Sequence, residues 1–148
     1  MIRAATALDI PAMIGIGREM HAESWYAYLP FDEVKLTATL LRLIDGSGFL
    51  EVYERNGEIS GGMAGICAEM WFCRARIASD LALFVLPGKR GSIAAVRLLE
   101  RFVQWARWQG ASEVNLGVST NVRKDETGRL YEALGFSHVG GIYKLRIT

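Results

Sequence analysis

Residues 75–119 constrain the fold more than any other part of this chain. Residues 75–86 become almost wholly apolar towards their end, 81-LALFVL-86, and so predict a buried strand covered on both faces. A basic turn follows, with Pro87, Lys89, Arg90, Gly91 and Ser92. A helical pattern then places Val96, Leu99, Phe102, Val103 and Ala106 on one face, and Gly110 closes it. Residues 113–119 alternate, with Val114, Leu116 and Val118 on one side. Strand, helix and strand in this order demand a right-handed crossover, which makes the two strands parallel. A chain that holds such a unit builds a sheet with helices packed against it.

The remaining segments extend that sheet. Residues 2–6 suit an edge strand. Asp9 with Pro11 predicts a helix start, and Met13, Ile16 and Met20 carry the helix to about Ser24. After the aromatic segment 25-WYAYLPF-31, Asp32 caps a second helix with Val34, Leu41 and Ile44 among its apolar positions. Asp45-Gly46-Ser47-Gly48 ends it. The alternating strand 49-FLEVYE-54 leads to Asn56-Gly57, a strong hairpin dipeptide, and a return strand from Ile59 to about Phe72. A short helix over 125–134 ends at Gly135, and 136-FSHVGGIYKLRI-147 reads as one or two final strands. The expected fold is mixed α/β: a central mixed sheet of six to seven strands flanked by about four helices. Its 148 residues suit one domain, 1–148.

Composition excludes several classes. A net charge of +1 offers no electrostatic footprint for nucleic acid or anionic membrane. No apolar run approaches the roughly 20 residues that span a bilayer. The start, MIRAATALDIPAM, lacks a signal peptide's pattern. Cys67 and Cys73 form no C-x-x-C pair and have no histidine nearby, so free thiols in a reducing cytoplasm, with no metal site, are expected.

The basic turn has two readings. It can be a plain strand-to-helix connection. It can also cradle a phosphate, because a helix N-terminus offers unpaired N–H groups and a positive dipole end. Gly91 would admit a ligand to the backbone, Ser92 would cap the helix and Arg90 would add charge. Neither a Walker loop nor the three-glycine dinucleotide fingerprint is present.

The run 85-VLPGKRGSIAAVRLL-99 resembles the pyrophosphate-binding motif of the GNAT N-acetyltransferase superfamily, V-x-P-x-x-R-G-x-G-x-G/A. Val85, Pro87, Arg90, Gly91 and Ala95 match, and Ile93 stands where the family has glycine. Downstream, 130-LYEALGF-136 is similar to the family's L-Y-x-x-x-G-F signature. The order of strands and helices fits along nearly the whole chain.

The resemblance implies acetyl transfer from acetyl-CoA, as cosubstrate, to a small-molecule or peptide amine by direct attack in a ternary complex. Backbone groups near Phe84 and Val85 would hold the pantetheine arm. The N–H groups of Arg90, Gly91, Ser92, Ile93, Ala94 and Ala95 would hold the pyrophosphate. Tyr131 would protonate the leaving thiolate. Lys124 and Thr127 replace the family's asparagine and alanine. An inactive CoA-binding sensor or assembly module of the same fold is the alternative.

The general base stays open among Asp80, Glu69, Glu113 and a water chain. His21, Glu23, Trp25, Tyr26 and Tyr28 could wall the acceptor pocket, or Trp25 and Tyr28 could close the core beneath a loop. His138 reads as a surface histidine. Trp105 and Trp108 cannot both face the core, which hints at a subunit contact such as a homodimer.

Overall fold

The computed structural model describes residues 1–86, 88, 93–118 and 124–147. Its elements run β1 (Ile2–Ala4), α1 (Ile10–Glu23), α2 (Glu33–Arg42), β2 (Phe49–Arg55), β3 (Glu58–Glu69), β4 (Arg76–Val85), α3 (Ala94–Trp108), β5 (Ala111–Asn115) and α4 (Lys124–Ala133). The strands form one five-stranded sheet in the order β1-β2-β3-β4-β5. The first four pair antiparallel, and β4 pairs with β5 in parallel, as the crossover requires.

Local chemistry explains most boundaries. Asn56 and Gly57 both take positive φ, 53° and 79°, which is the geometry of a tight hairpin turn between β2 and β3. Asp32 caps α2 by accepting the Lys35 N–H at 3.0 Å. Asp9 acts differently from expectation. Its carboxylate accepts the Thr6 N–H at 2.8 Å, closing the short turn Ala7–Asp9 before α1, and takes Arg3 in a bidentate pair at 2.7 and 2.9 Å. In α2 the buried face is Leu36, Leu40 and the following Leu43, while Val34 is 81% exposed and Leu41 points partly to solvent.

Two cores sandwich the sheet. On one face Leu50, Val52 and Ala64 meet Ile10, Met13 and Ile14 of α1 and Leu40 near the end of α2. On the other, Phe49, Met63 and Ala78 meet Leu98, Leu99, Phe102 and Ala106 of α3, with Tyr131 of α4. Phe102 stacks on Trp105 and tilts against Phe49, with centroids 5.6 and 5.2 Å apart. Each large side chain so buried contributes about 1.5–3 kcal/mol. Trp105 therefore takes the core side and Trp108 is exposed. Arg101 of α3 reaches the buried Glu51 of β2, with Nε 3.1 and 3.2 Å from its two oxygens, and pins the helix to the sheet.

β3 is thin where rings cross it. A Cβ at Gly65 would lie 2.3 Å from Phe102 Cε1, and one at Gly62 would lie 2.4 Å from Phe84 Cζ. Next to Gly65 the β3–β4 register slips: Ala64 pairs with Ala82 but Gly65 pairs with Asp80. Leu81 is the extra residue of a bulge. The bulge reverses the alternation of β4, so that Ala78 and Leu83 share one face although they differ in parity. Leu81 is 51% exposed, so β4 is not covered on both faces along its length.

Among the described residues the sheet has five strands rather than six or seven, because 136–147 forms no strand. Val139, Tyr143, Leu145 and Ile147 there are 85–100% exposed. This tail is held by its cations instead. Lys144 Nζ donates to the Tyr26 hydroxyl at 2.7 Å, and the Arg146 guanidinium lies 4.0 Å from the Tyr28 ring centroid and 4.8 Å from that of Trp25.

Candidate functional site

β4 continues to Val85, whereas its ladder with β5 closes at Ser79 and Asn115. Beyond that point the two strands part. A cleft of about 690 Å³ fills the gap, within the range of small-ligand sites. Residues 80–85 of β4 form one wall and Ala95 and Val96 of α3 a second. Gly117 and Val118, after β5, lie opposite with Glu126, Thr127, Leu130 and Tyr131 of α4. The cleft extends between α1 and α2, where Met13, Gly17, Met20 and His21 recur along one helix face.

Tyr131 is 9% exposed and its hydroxyl donates to the Gly117 carbonyl at 3.4 Å, a long bond. The N–H of the same Gly117 donates to Asp80 Oδ1 at 3.2 Å. One residue, Gly117, thus joins the bulged part of β4 to α4 through its two backbone polar groups. Burial raises the Tyr131 phenol far above its ordinary value, and the nearby charge of Asp80 raises it further. Burial also raises Asp80, while the Gly117 N–H opposes that shift. Both groups are biased towards their protonated forms, so Tyr131 keeps its proton throughout the neutral range.

The residues singled out in the sequence divide. Phe84, Val85, Ala95 and Tyr131 all line the cleft. Ala94 is fully buried and does not line it. Ile93 is the residue before α3, is 52% exposed, and accepts the Arg97 N–H at 3.0 Å. Its side chain stands outside the cleft, where glycine was expected for close ligand approach. Arg90, Gly91 and Ser92 lie outside the described residues.

Of the candidate bases, Asp80 lines the cleft, whereas Glu69 ends β3 opposite Arg76 and Glu113 sits on β5. From the aromatic segment His21 and Tyr26 line it. Trp25 and Tyr28 do not close the core; they are 37% and 50% exposed beneath Arg146. His138 is exposed. Thr127 lines the cleft and Lys124 stands outside it.

Sequence reasoning missed Glu126 and the Gly117 bridge. Glu126, Thr127, Leu130 and Tyr131 share one face of α4 by their spacing, a signal that could have found Glu126. Among the described residues no cluster of three metal-ligating side chains occurs, and no helix is long and apolar enough to cross a membrane.

No family model and no curated protein matches the chain. Solved structures do. An acetyltransferase of Trypanosoma brucei superposes with a TM-score of 0.75 at 17% identity, over 99% of each chain. The ribosomal-protein-alanine N-acetyltransferase of Brucella melitensis gives 0.79 at 21% identity, over 95% of this chain and 86% of that one. AAC(6')-Iy, solved with the bisubstrate analogue CoA-S-monomethyl-acetylneamine, gives 0.79 at 16% identity, over 100% and 97%. The chain has the GNAT acetyltransferase fold. At these identities the likeness concerns architecture.

Proposed function

We propose that the chain is an acetyl-CoA-dependent N-acetyltransferase, one domain over 1–148, that acts on a primary amine of a small molecule or peptide. The observation that carries this reading is the cleft at the parting of β4 and β5, onto which Tyr131, Gly117 and Asp80 converge. That a solved structure of the same fold holds a CoA bisubstrate analogue supports it. The two unpaired thiols, Cys67 and Cys73, suit a reducing cytoplasm.

The residues present fit a CoA thioester. The β4–β5 ladder ends at Ser79, and an extended amide-bearing arm would lie along β4 beyond that point, near Phe84. The ladder of α3 opens with Arg97 donating to Ile93, and a helix N-terminus is where a phosphate would be held. Arg90, Gly91 and Ser92 would complete that cradle with Ile93, Ala94 and Ala95.

Acetyl-CoA supplies an acyl group activated as a thioester. The amine nitrogen bonds to the acyl carbon, the carbon–sulfur bond breaks, and the amine loses a proton. Tyr131 holds a proton on its hydroxyl, passes it to the departing thiolate and regains one from solvent. Holding both substrates in one cleft supplies much of the rate. Asp80, which lines the cleft, would take the amine's proton.

The test is thiol release from acetyl-CoA in the presence of a panel of primary amines, with mass spectrometry of the product. Amine-dependent thiol release with an acetylated product is expected. Binding of acetyl-CoA without transfer to any amine would favour a CoA-binding sensor instead.

A further inference from the structure

The aromatic segment Trp25–Tyr28 continues the wall of the cleft that α1 supplies. Tyr26 lines the cleft, as does Ser24 just before it. The segment is a single 3-10 turn, with the Ala27 N–H on the Ser24 carbonyl at 3.1 Å and the Leu29 N–H on the Tyr26 carbonyl at 2.9 Å. A turn of that length does not hold its own shape, so contacts from elsewhere decide where its rings lie. Ser24 ties its start to α1: its N–H and its hydroxyl both donate to the His21 carbonyl, at 3.2 and 2.9 Å.

Further contacts come from the tail, 118 and 121 residues along the chain. The Lys144 Nζ that donates to the Tyr26 hydroxyl also lies 3.9 Å from the centroid of that ring. The Arg146 guanidinium lies over Tyr28 and Trp25, with Nη2 3.5 Å from the Trp25 carbonyl. The two cations are two residues apart, whereas Tyr143, Leu145 and Ile147 between and beside them are 85–100% exposed. At its other end the tail is rooted on α4. The Phe136 N–H donates to the Tyr131 carbonyl at 3.1 Å, and the two rings lie 6.1 Å apart. One stretch of chain therefore runs from the wall that carries Tyr131 to the wall that carries Tyr26.

Building on the acetyltransferase reading, we propose that Lys144 and Arg146 are positioning residues, which brace the aromatic segment so that Tyr26 keeps its place in the wall met by the acceptor amine. Neither of them lines the cleft itself. On that reading the thioester lies along β4 and the start of α3, which leaves the α1 side to the amine. Each contact at an exposed site is weak, so the brace acts through both cations together. Without them the turn shifts and the amine meets a displaced ring. The root of the tail on Tyr131 does not depend on these cations, so the proton donor stays where it is.

Lys144→Gln combined with Arg146→Gln removes both cations, and both residues are exposed, so the two cores are left intact. Transfer is assayed with phenethylamine, ethanolamine and glycylglycine as acceptors. The KM for the amine should rise about fivefold, while kcat and the KM for acetyl-CoA stay within about twofold. Lys144→Arg combined with Arg146→Lys keeps both cations and should restore most of the loss. Hydrogen exchange on the free protein reads the segment directly: the Ala27 and Leu29 amides should exchange about fivefold faster in the glutamine variant. Transfer with an unchanged amine KM would overturn the proposal and leave the acetyltransferase reading standing, and so would a rise in KM that the cationic pair does not reverse. Where no amine is acetylated, that reading falls, and exchange decides the brace alone. Faster exchange at both amides would uphold it, and unchanged exchange would overturn it.

Discussion

Tyr131 serves packing and chemistry from one position. Its ring lies in the core with Leu98 and Phe102, and its hydroxyl faces the cleft through a long bond to Gly117. Tyr131→Phe keeps the ring and removes the proton. We expect kcat to fall by about 10²–10⁴-fold, the usual contribution of a positioned acid, with thermal unfolding nearly unchanged. The raised phenol pKa makes a pH prediction: the alkaline limb of kcat should lie above pH 10, the ordinary value of the group. Asp80→Asn retains an acceptor for the Gly117 N–H but removes the charge, so the limb should move down. Asp80 also affects stability. Its folded pKa is raised, so its contribution is present below its ordinary 3.8 and lost as pH rises through the folded value. Asp80→Asn should therefore raise the melting temperature at pH 7. Asp9 has the opposite sign. The Arg3 guanidinium lowers it from 3.8 to about 2, so its contribution is present above 3.8 and lost as pH falls towards 2. An acid titration of wild type against Asp9→Asn would show the difference shrinking over that window. Phe84, Val85 and Tyr131, which stand within motifs, could be singled out in the sequence, and all three line the cleft. The link from Asp80 through Gly117 could not, because 37 residues separate the two and no local pattern joins them.

At the scale of elements, legibility followed local chemistry. The Asn56-Gly57 hairpin, the Asp32 cap and the crossover helix rest on turn, cap and periodicity rules, and all appear in the structure. The bulge at Leu81 was not legible, because the run 81-LALFVL-86 has no alternation in which a register slip would show. The tail misled for the reverse reason. Its alternation suits a strand, but strand formation needs a partner edge, and its cations settle on Tyr26, Trp25 and Tyr28. Two glycines should respond oppositely to alanine. Gly15 is exposed in the middle of α1 with nothing within 4 Å of an added Cβ, so Gly15→Ala should stabilise by about 0.5–1 kcal/mol. Gly65→Ala would drive a methyl into Phe102 and should cost about 1–3 kcal/mol. Urea unfolding of both variants checks the signs.

The whole molecule is a sheet held between two cores, and its cleft opens where one parallel pair comes apart. The packing that stabilises α3 also sets its first turn beside the end of β4. Arg101 on Glu51 and Phe102 over Gly65 fix the helix, and the amides at its start are carried with it. The central claim is that this arrangement binds acetyl-CoA, and thermal unfolding tests it most directly, with ATP and NAD as controls. Ligand at about 100 times its Kd stabilises by about 2.7 kcal/mol, roughly 5–10 °C for a chain of this size. A rise of that order with acetyl-CoA, and none with ATP or NAD, is the predicted result. An unchanged melting temperature at millimolar acetyl-CoA would contradict the account and leave the turn after β4 a plain connection between strand and helix.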